Sequence, residues 1–222
     1  MNTGVQSIRR LSIAGRHGKD SPVDLHSIPV IGRDGTLYGA TLMVHDASSE
    51  SSLEHRCQAL YSQATKDPMT QVANRAEFDR VHTLFLKTHT ESRLPCSLII
   101  CDIDFFKAVN DNYGHQAGDD AIISFAKLLK SMCRHGDLVA RYGGEEFVVA
   151  MPGAGLPEAS EVAERLRQAI FAHTPTTVSV GCAARHGIEP AIDVLRRADD
   201  QLLSAKRTGK NTVHARTARK SA

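Results

Sequence analysis

The sequence has 222 residues, enough for one well-packed domain and a smaller attachment, and its 41% hydrophobic and 23% charged residues are typical of soluble globular proteins. The formal net charge is +2, so no global field draws the protein onto a nucleic acid polymer or a membrane surface. We therefore expect neither as a partner of this chain, and any site for an anion must be local.

The first predicted elements form a β-hairpin. Residues 1–20 are polar, basic and aperiodic, and we expect them to be loose. The next segment, "VDLHSIPVIGRDGTLYGATLMVHD" (23–46), predicts two strands around an Asp34-Gly35 turn. A hairpin alone is only marginally stable, so this one must pack on something or be the remnant of a larger unit.

A helical pattern follows from Ser48 to about Lys66. Its apolar positions alternate spacings of four and three, as in a short coiled-coil seam, and they are Leu53, Cys57, Leu60 and Ala64. The seam is shorter than two heptads, so a single amphipathic helix is an equally good interpretation. In either case we expect this helix to connect two parts of the chain.

The main domain is expected after Asp67-Pro68. Helices are predicted over roughly 74–90, 118–133, from Pro157 onward and over 190–207, and strands over 96–103, 137–142, 146–151 and 177–183. The core elements therefore follow the order β-α-β-β-α-β. This order predicts an α+β fold of the ferredoxin-like or palm type, in which an antiparallel sheet carries helices on one face.

Two acidic clusters carry the clearest chemical signal. The stretch "RYGGEEFVVAMP" (141–152) places two glycines and two adjacent glutamates at a hairpin turn, and Asp102 and Asp104 follow a buried strand. Each cluster alone has an ordinary interpretation, as an exposed hairpin tip or a solvated strand end. In the predicted sheet, however, the first strand lies beside the hairpin, so Asp102 can approach the turn. Carboxylates held together in this way favour a divalent cation such as Mg²⁺.

Several segments carry a resemblance to a known family. "RYGGEEFVV" resembles the signature of the GGDEF family, the diguanylate cyclases, in its GGEEF spelling. The segments similar to other motifs of that family are "DPMTQVANR", "DIDFFKAVNDNYGHQAGDD" (102–120), "TVSVGCA" and "RADDQLLSAKRTGKN". The match covers about residues 66–215, in order. It implies a palm-like domain that condenses two GTP into cyclic di-GMP and releases two pyrophosphates.

The resemblance also implies roles for the acidic residues. Asp102 and Glu146 would hold Mg²⁺, or Mn²⁺ in its place, together with the Ile103 carbonyl. Glu145 would activate the ribose 3′-hydroxyl, either as a base or through a second metal ion. We favour metal-assisted deprotonation, because an unperturbed glutamate is a poor base for a ribose hydroxyl.

Other residues are implied in nucleotide binding. Asn110 and Asp119 would recognise guanine, because a carboxylate accepts hydrogen bonds from N1–H and the 2-amino group, a donor pair that adenine lacks. Their ordinary interpretations are a turn residue and a helix N-cap. The residues implied beside the nucleotide and its phosphates are Phe105, Phe106, Lys107, Gly143, Gly144, Lys206 and Lys210. Two lysines four residues apart, such as Lys206 and Lys210, otherwise most often lie on a solvated helix face. Lys210 stands where the family has an arginine, so it keeps the positive charge but cannot form a bidentate contact.

The motif "RHGD" (134–137) matches the family's product-inhibition site by its spacing, although an Arg-x-x-Asp pair is common on protein surfaces. Arg134 can bind phosphate or stack on guanine, Asp137 can accept from a guanine edge, and Arg165 matches a supporting arginine. Five strand residues separate the motif from Gly143, which corresponds to roughly 16 Å. The resemblance thus implies a separate site for feedback inhibition by cyclic di-GMP.

The resemblance further implies a homodimer of C2 symmetry, because the product contains two nucleotides whereas each domain holds one GTP. Upstream, the hairpin and helix resemble the end of a PAS sensor domain, so we expect the chain to be a fragment of a longer sensor protein. The expected division is 1–47 for a tail and partial PAS-like hairpin, 48–66 for the connector, 67–216 for the catalytic domain and 217–222 for a frayed tail.

Two other functions are compatible with the same motifs. A GGDEF domain without catalysis could act as a receptor for cyclic di-GMP or as a dimerisation and relay module. The presence of Asp102, Glu145 and Glu146 favours an enzyme over the receptor. A P-loop NTPase is disfavoured, because the sequence has no G-x₄-G-K-[ST] motif.

The five cysteines are scattered and form no CxxC pair, and four of them lie in apolar surroundings, where a reduced cysteine behaves as a small hydrophobic residue. This pattern favours a reducing cytoplasm. We expect no signal peptide and no segment that spans a bilayer, although a parent protein could still be anchored in a membrane.

Overall fold

The computed structural model describes residues 7–14, 20–32, 35–92 and 94–215, and the chain divides into two compact units, 1–62 and 63–222. The elements up to the junction are β1 Ser7–Ala14, β2 Asp20–Ile31, β3 Leu37–Asp46 and α1 Ser48–Thr65. The elements that follow are α2 Arg75–Ser92, β4 Cys96–Ile103, α3 Phe106–Tyr113, α4 His115–Met132, β5 Leu138–Gly143, β6 Glu146–Pro152, α5 Leu156–His173, β7 Val178–Ala184, α6 Ala191–Arg207 and β8 Val213–Ala215. Within the described ranges, none of the helices has the length and apolar character needed to cross a bilayer.

The first unit contains a three-stranded antiparallel sheet in the order β1-β2-β3. The predicted hairpin is confirmed as β2 and β3, with Gly35 at a φ of 81° between them, whereas Asp34 lies outside the described residues. The expectation of a loose stretch at the N-terminus is wrong for β1, which pairs with β2 along its whole length. The arginines that make this stretch look unstructured instead support strand pairing, because Arg10 forms a bidentate ion pair of 2.8 Å with Asp24.

The helical pattern predicted from Ser48 is confirmed as α1. Two residues of the predicted seam, Leu53 and Leu60, are 60% and 64% exposed. The last turn of α1 is held by Asn74, whose backbone N–H donates to the Thr65 carbonyl at 2.8 Å and whose side chain donates to the Ala64 carbonyl at 2.9 Å. The pairing of this seam with a second helix stays a prediction.

The second unit is built on a five-stranded sheet in the order β5-β6-β4-β7-β8. All eight residues of β4 are buried, and its side chains alternate between the two faces of the sheet. Ile99 and Cys101 pack with α4 and α5, whereas Leu98 and Ile100 pack with α2 and α6. The α+β fold is confirmed, but the expectation of helices on one face is wrong, because a strand that is buried at every position needs cover on both sides.

The sequence pattern does not predict two elements of this unit, α3 and β8. Helix α3 has eight residues and none of them is buried, so no apolar period marks it. It begins after Phe105, at a φ of 57°, and ends at Gly114, at a φ of 85°. Strand β8 pairs in parallel with β7, so the sheet is not wholly antiparallel as predicted.

Candidate functional site

The register of the central sheet brings the two predicted acidic clusters together. β4 and β6 pair in antiparallel fashion, and Asp102 faces Glu146 across that pair. Beyond it, the Ile103 backbone N–H donates to the Glu145 carbonyl at 3.4 Å. The turn before Glu145 closes through Gly144, whose φ of 34° lies in the left-handed region that favours glycine.

Asp102 is a buried carboxylate, only 6% exposed, and its Oδ2 lies 2.7 Å from the Lys206 ammonium on α6. Burial raises the pKa of Asp102 to about 6; the Lys206 ammonium opposes this shift, and the nearby carboxylates of Glu145 and Glu146 add to it. The negative charges of these three carboxylates therefore favour the binding of a cation beside them.

This donor set fits a hard divalent cation. Mg²⁺ usually takes one or two carboxylates and completes its shell with water and substrate phosphates. Asp102 and Glu146 on paired strands, with the Ile103 carbonyl, are oxygen donors of that kind. Over the described residues, however, no group of three or more His, Cys, Asp or Glu side chains is arranged to hold a metal, and Lys206 supplies the cation beside Asp102. The predicted ligand set is thus brought together only in part.

Asp104, which the sequence grouped with Asp102, has a different role. It is 1% exposed, and its carboxylate accepts hydrogen bonds from the Thr177 hydroxyl at 2.8 Å, the Ser179 hydroxyl at 2.7 Å and the Asn211 backbone N–H at 2.9 Å. These bonds join the end of β4 to the start of β7 and to the loop before β8. Asp104 therefore holds the loops around the site together, and its expected place in a shared acidic cluster is wrong.

The predicted phosphate loop meets the exit of α6. Phe105 is exposed, and the Lys210 ammonium lies 3.6 Å from the centroid of its ring. Lys210 itself follows the end of α6 and has a φ of 64°. Phe106 is partly buried against the core, whereas Lys107 is exposed. The structure therefore gathers Phe105, Lys210 and the Lys206–Asp102 pair near the C-terminal end of β4.

The two predicted guanine readers lie on neighbouring helices. Asn110 is in the middle of α3, and Asp119 is in the second turn of α4, whose N-cap is Gly114. Both side chains are half-buried. Their ordinary interpretations, a turn residue and an N-cap, are therefore wrong, which leaves two polar side chains without a capping role.

Arg141 is a supporting residue to which sequence reasoning assigned no role. Its Nε and Nη2 donate to the Gly144 carbonyl at 2.9 and 2.8 Å, and its Nη1 lies 3.3 Å from Asp67 Oδ1. Asp67 also accepts from the Thr70 hydroxyl at 2.6 Å. Both motifs involved, "RYGG" and "DPMT", were visible in the sequence. Only the fold shows that Arg141 of the first motif pairs with Asp67 of the second.

We expect Arg141→Met to lower the free energy of unfolding by about 2 kcal/mol, because it leaves the half-buried Asp67 carboxylate without its cation and the Gly144 carbonyl without its donors. Urea unfolding measures this change. A matched control is Arg196→Met, since Arg196 pairs with Asp193 on the surface and such pairs contribute about 1 kcal/mol or less. Equal effects of the two substitutions would contradict a special role for Arg141.

Two of the three residues predicted for product inhibition, Arg134 and Asp137, are in direct contact. Asp137 accepts from Arg134 Nε at 3.0 Å and from the Arg134 backbone N–H at 3.1 Å, and Arg134 also donates to the Pro152 carbonyl. The Asp137 side chain is buried, whereas that of Arg134 is 56% exposed. Arg165 donates to the Met132 carbonyl at 3.2 Å. Arg134 and Asp137 precede β5, Arg165 lies on α5, and the glycine turn follows β5.

Comparison with known sequences matches the part of the chain that contains this site. Residues 64–212 match the family model described as diguanylate cyclase, GGDEF domain. The chain is 37% identical over 187 residues to diguanylate cyclase DgcM of Escherichia coli K12. The aligned region covers 81% of this chain and 45% of that protein. It is also 37% identical over 166 residues to the response regulator PleD of Caulobacter vibrioides, covering 70% and 37%. The chain thus spans less than half the length of these relatives.

Solved structures agree with this assignment. The coiled coil and GGDEF domain of DgcB from Caulobacter crescentus, in complex with c-di-GMP, matches with a TM-score of 0.73 and 29% identity over 77% of this chain and 95% of that one. The active GGEEF domain of a diguanylate cyclase from Vibrio cholerae matches with a TM-score of 0.61 and 32% identity over 64% and 96%. Given a family model that matches 149 of the 222 residues (64 to 212) and these structural relatives, the chain belongs to the GGDEF diguanylate cyclase family.

Proposed function

We propose that this chain is a diguanylate cyclase of the GGEEF variant that condenses two GTP into cyclic di-GMP and two pyrophosphates. The observation that carries this proposal is the pairing of Asp102 with Glu146, with the Lys206 ammonium 2.7 Å from the Asp102 carboxylate. Relatives named diguanylate cyclases support it. The cytoplasmic location expected from the cysteines stays a prediction.

Asp102, Glu146 and the Ile103 carbonyl would hold Mg²⁺, with Mn²⁺ as the alternative ion. When bound there, a divalent cation would supply stabilisation of negative charge on the attacking 3′-oxygen and on the leaving pyrophosphate. The protein's own part is to bury Asp102 beside Glu146, and this burial raises the pKa of Asp102 to about 6. Glu145, on the adjacent turn, would accept the proton of the 3′-hydroxyl or help to bind a second ion.

The remaining predicted residues would bind the nucleotide. Asn110 and Asp119 would read the guanine edge, and a purine without the N1–H and 2-amino donors would leave the Asp119 carboxylate unpaired. Lys206 and Lys210 would neutralise the triphosphate beside the loop of Phe105, Phe106 and Lys107. Gly143 and Gly144 would let the backbone of the turn approach the substrate, since neither has a neighbouring atom where a Cβ would stand.

Formation of the product requires two such sites, because each 3′-hydroxyl attacks the α-phosphate of the other nucleotide. We therefore propose catalysis by a C2 pair of domains, with α1 setting their approach through its exposed Leu53 and Leu60. The sheet of β1, β2 and β3 would belong to a PAS-like sensor unit that controls this pairing.

The test is to incubate the protein with GTP and Mg²⁺ at several protein concentrations and to measure cyclic di-GMP by chromatography. A cyclase that acts as a pair gives a rate per molecule that rises with protein concentration until the pair is saturated. Binding of cyclic di-GMP without any turnover of GTP would instead support the receptor, for which the arrangement of Arg134 and Asp137 is the favourable observation.

We further propose that the cluster of Arg134, Asp137 and Arg165 binds cyclic di-GMP and inhibits synthesis. The exposed guanidinium of Arg134 is available to a phosphate or a guanine face, and the buried carboxylate of Asp137 holds it in place at 3.0 Å. A relative of similar fold was solved in complex with c-di-GMP, which supports binding of this ligand by the family.

We expect Arg134→Ala to raise the cyclic di-GMP concentration needed for half-inhibition by about tenfold or more, since a charge-assisted contact to phosphate contributes about 1.5–3 kcal/mol. Initial rates with added product measure this shift. Arg196→Ala, another exposed arginine, is the matched control and should leave inhibition unchanged. Unchanged inhibition in Arg134→Ala, with an unchanged melting temperature, would refute the assignment.

A further inference from the structure

Gly118 occupies a position of α4 where glycine has a cost. The residue is buried within the helix, and glycine there destabilises a helix by roughly 0.5–1 kcal/mol relative to alanine. Its φ is not among the positive values of this chain, so the backbone itself does not require glycine. The reason for a missing side chain must therefore lie in the surroundings of this position.

Those surroundings are side chains of α3. A Cβ on residue 118 would lie 2.0 Å from Asn110 Oδ1 and 3.0 Å from Asn110 Cγ, far inside van der Waals contact. The next nearest atom is Phe106 Cζ at 3.1 Å. The Asn110 amide thus fills the space that the absent side chain leaves, and it does so directly beside Asp119, the next residue of α4.

We infer that Gly118 is a positioning residue for base specificity: its missing side chain lets the Asn110 amide dock against α4 beside Asp119, where the two groups recognise guanine. This inference rests on the proposed function, because it concerns the same nucleotide site. An amide offers both a donor and an acceptor, and a carboxylate offers acceptors only, so the two groups together can match an edge that carries both kinds of group.

A side chain at position 118 would act on Asn110 rather than on the fold. The severe clash is with the end of the flexible Asn110 side chain, which can rotate away without movement of the α3 backbone, whereas Phe106 Cζ at 3.1 Å needs to move only slightly. Alanine also has the better helix propensity, so the stability of α4 is preserved or improved. The displaced amide, however, no longer stands beside Asp119. Recognition of the base is therefore lost while folding is kept, which separates this role from a structural one.

The experiment uses 3′-deoxy-GTP and 3′-deoxy-ATP, which cannot be condensed because they lack the 3′-hydroxyl. Calorimetric titration of Gly118→Ala is expected to show about tenfold weaker binding of 3′-deoxy-GTP, the loss of one hydrogen bond to the base, with the weak binding of 3′-deoxy-ATP unchanged. The melting temperature should be equal to or above that of the wild type. Gly39→Ala, on β3, adds the same methyl group where no atom lies within 4 Å, and it should change neither affinity.

A second pair of variants tests whether the effect passes through Asn110. In an Asn110→Ala background, Gly118→Ala should change the affinity for 3′-deoxy-GTP by less than about twofold, since the displaced group is already gone. A full tenfold loss in that background, or unchanged discrimination between the two nucleotides in Gly118→Ala alone, would overturn the inference. If the wild type shows no preference for the guanine nucleotide, both the proposed function and this inference fail. If the wild type prefers the guanine nucleotide and Gly118→Ala leaves that preference unchanged, only this inference fails.

Discussion

Glu146→Gln is expected to lower the rate of cyclic di-GMP formation by at least about a thousandfold while leaving the fold intact. Glu146 faces Asp102 in the β4–β6 register, and its carboxylate is one of two that would hold the divalent cation. Loss of several kcal/mol of charge stabilisation in the transition state corresponds to about three powers of ten in rate. Glutamine has nearly the same shape, so the β6 strand and its packing are preserved.

Two measurements make this result specific. Initial rates at saturating GTP and Mg²⁺ report the catalytic loss, and manganese titration followed by electron paramagnetic resonance reports ion binding independently of turnover. Glu161→Gln, an exposed substitution on α5, is the matched control and should retain full activity. A Glu146→Gln enzyme that turns over GTP at the wild-type rate would remove the central claim of the proposed mechanism.

Gly181→Ala is expected to cost about 3 kcal/mol or more of unfolding free energy, the largest stability effect of any substitution considered for this chain. A Cβ on this residue of β7 would lie 2.2 Å from the Ala198 carbonyl oxygen and 2.3 Å from the Leu202 backbone nitrogen. These are backbone atoms of α6, which cannot rotate away as a side chain can. The helix must therefore shift from the sheet. Overpacking of a well-packed core typically costs about 1–3 kcal/mol, and we expect the upper end or more here because the contacted atoms belong to the backbone.

The unfolding transition of the second unit measures this effect, with an expected fall in melting temperature of roughly 10 °C for a domain of this size. Gly136→Ala, where an added methyl group meets no atom within 4 Å, should melt within about 2 °C of the wild type. Because α6 also carries Lys206, we expect the Gly181→Ala protein to lose activity even below its melting temperature. Equal stability of the two alanine variants would show that α6 does not pack on β7 as described.

Much of the second unit could be predicted from local sequence patterns. The strand predicted over 96–103 is β4 with the same bounds, and α5 begins one residue before Pro157. β4 was predictable because a short apolar run between Pro95 and two aspartates indicates a buried strand. α5 was predictable because a 3.6-residue apolar period with a proline in the first turn indicates an amphipathic helix. β1 was not, because Arg9 and Arg10 interrupt its alternation, and the Asp24 that pairs with Arg10 lies on β2, 14 residues away.

The candidate site divides in the same way. The adjacency of Asp102 and the glutamate turn follows from strand order, so the sequence alone determined that Asp102 and Glu146 meet. The separate roles of Asp102 and Asp104, two residues apart, follow only from the partners that β7, α6 and the loop before β8 bring to each.

Sequence by itself determined the order of the core strands and helices, most of their apolar faces and the residues that we propose for the chemistry. Only the tertiary structure decided that helices cover both faces of the sheet, that Arg141 holds the Gly144 carbonyl, and that Asn110 rests on Gly118. The physical reason is the range of the interactions. Periodicity, turns and propensities act within a few neighbours along the chain, whereas a hydrogen bond or a steric exclusion between distant residues depends on strand register and helix packing, which no local pattern records.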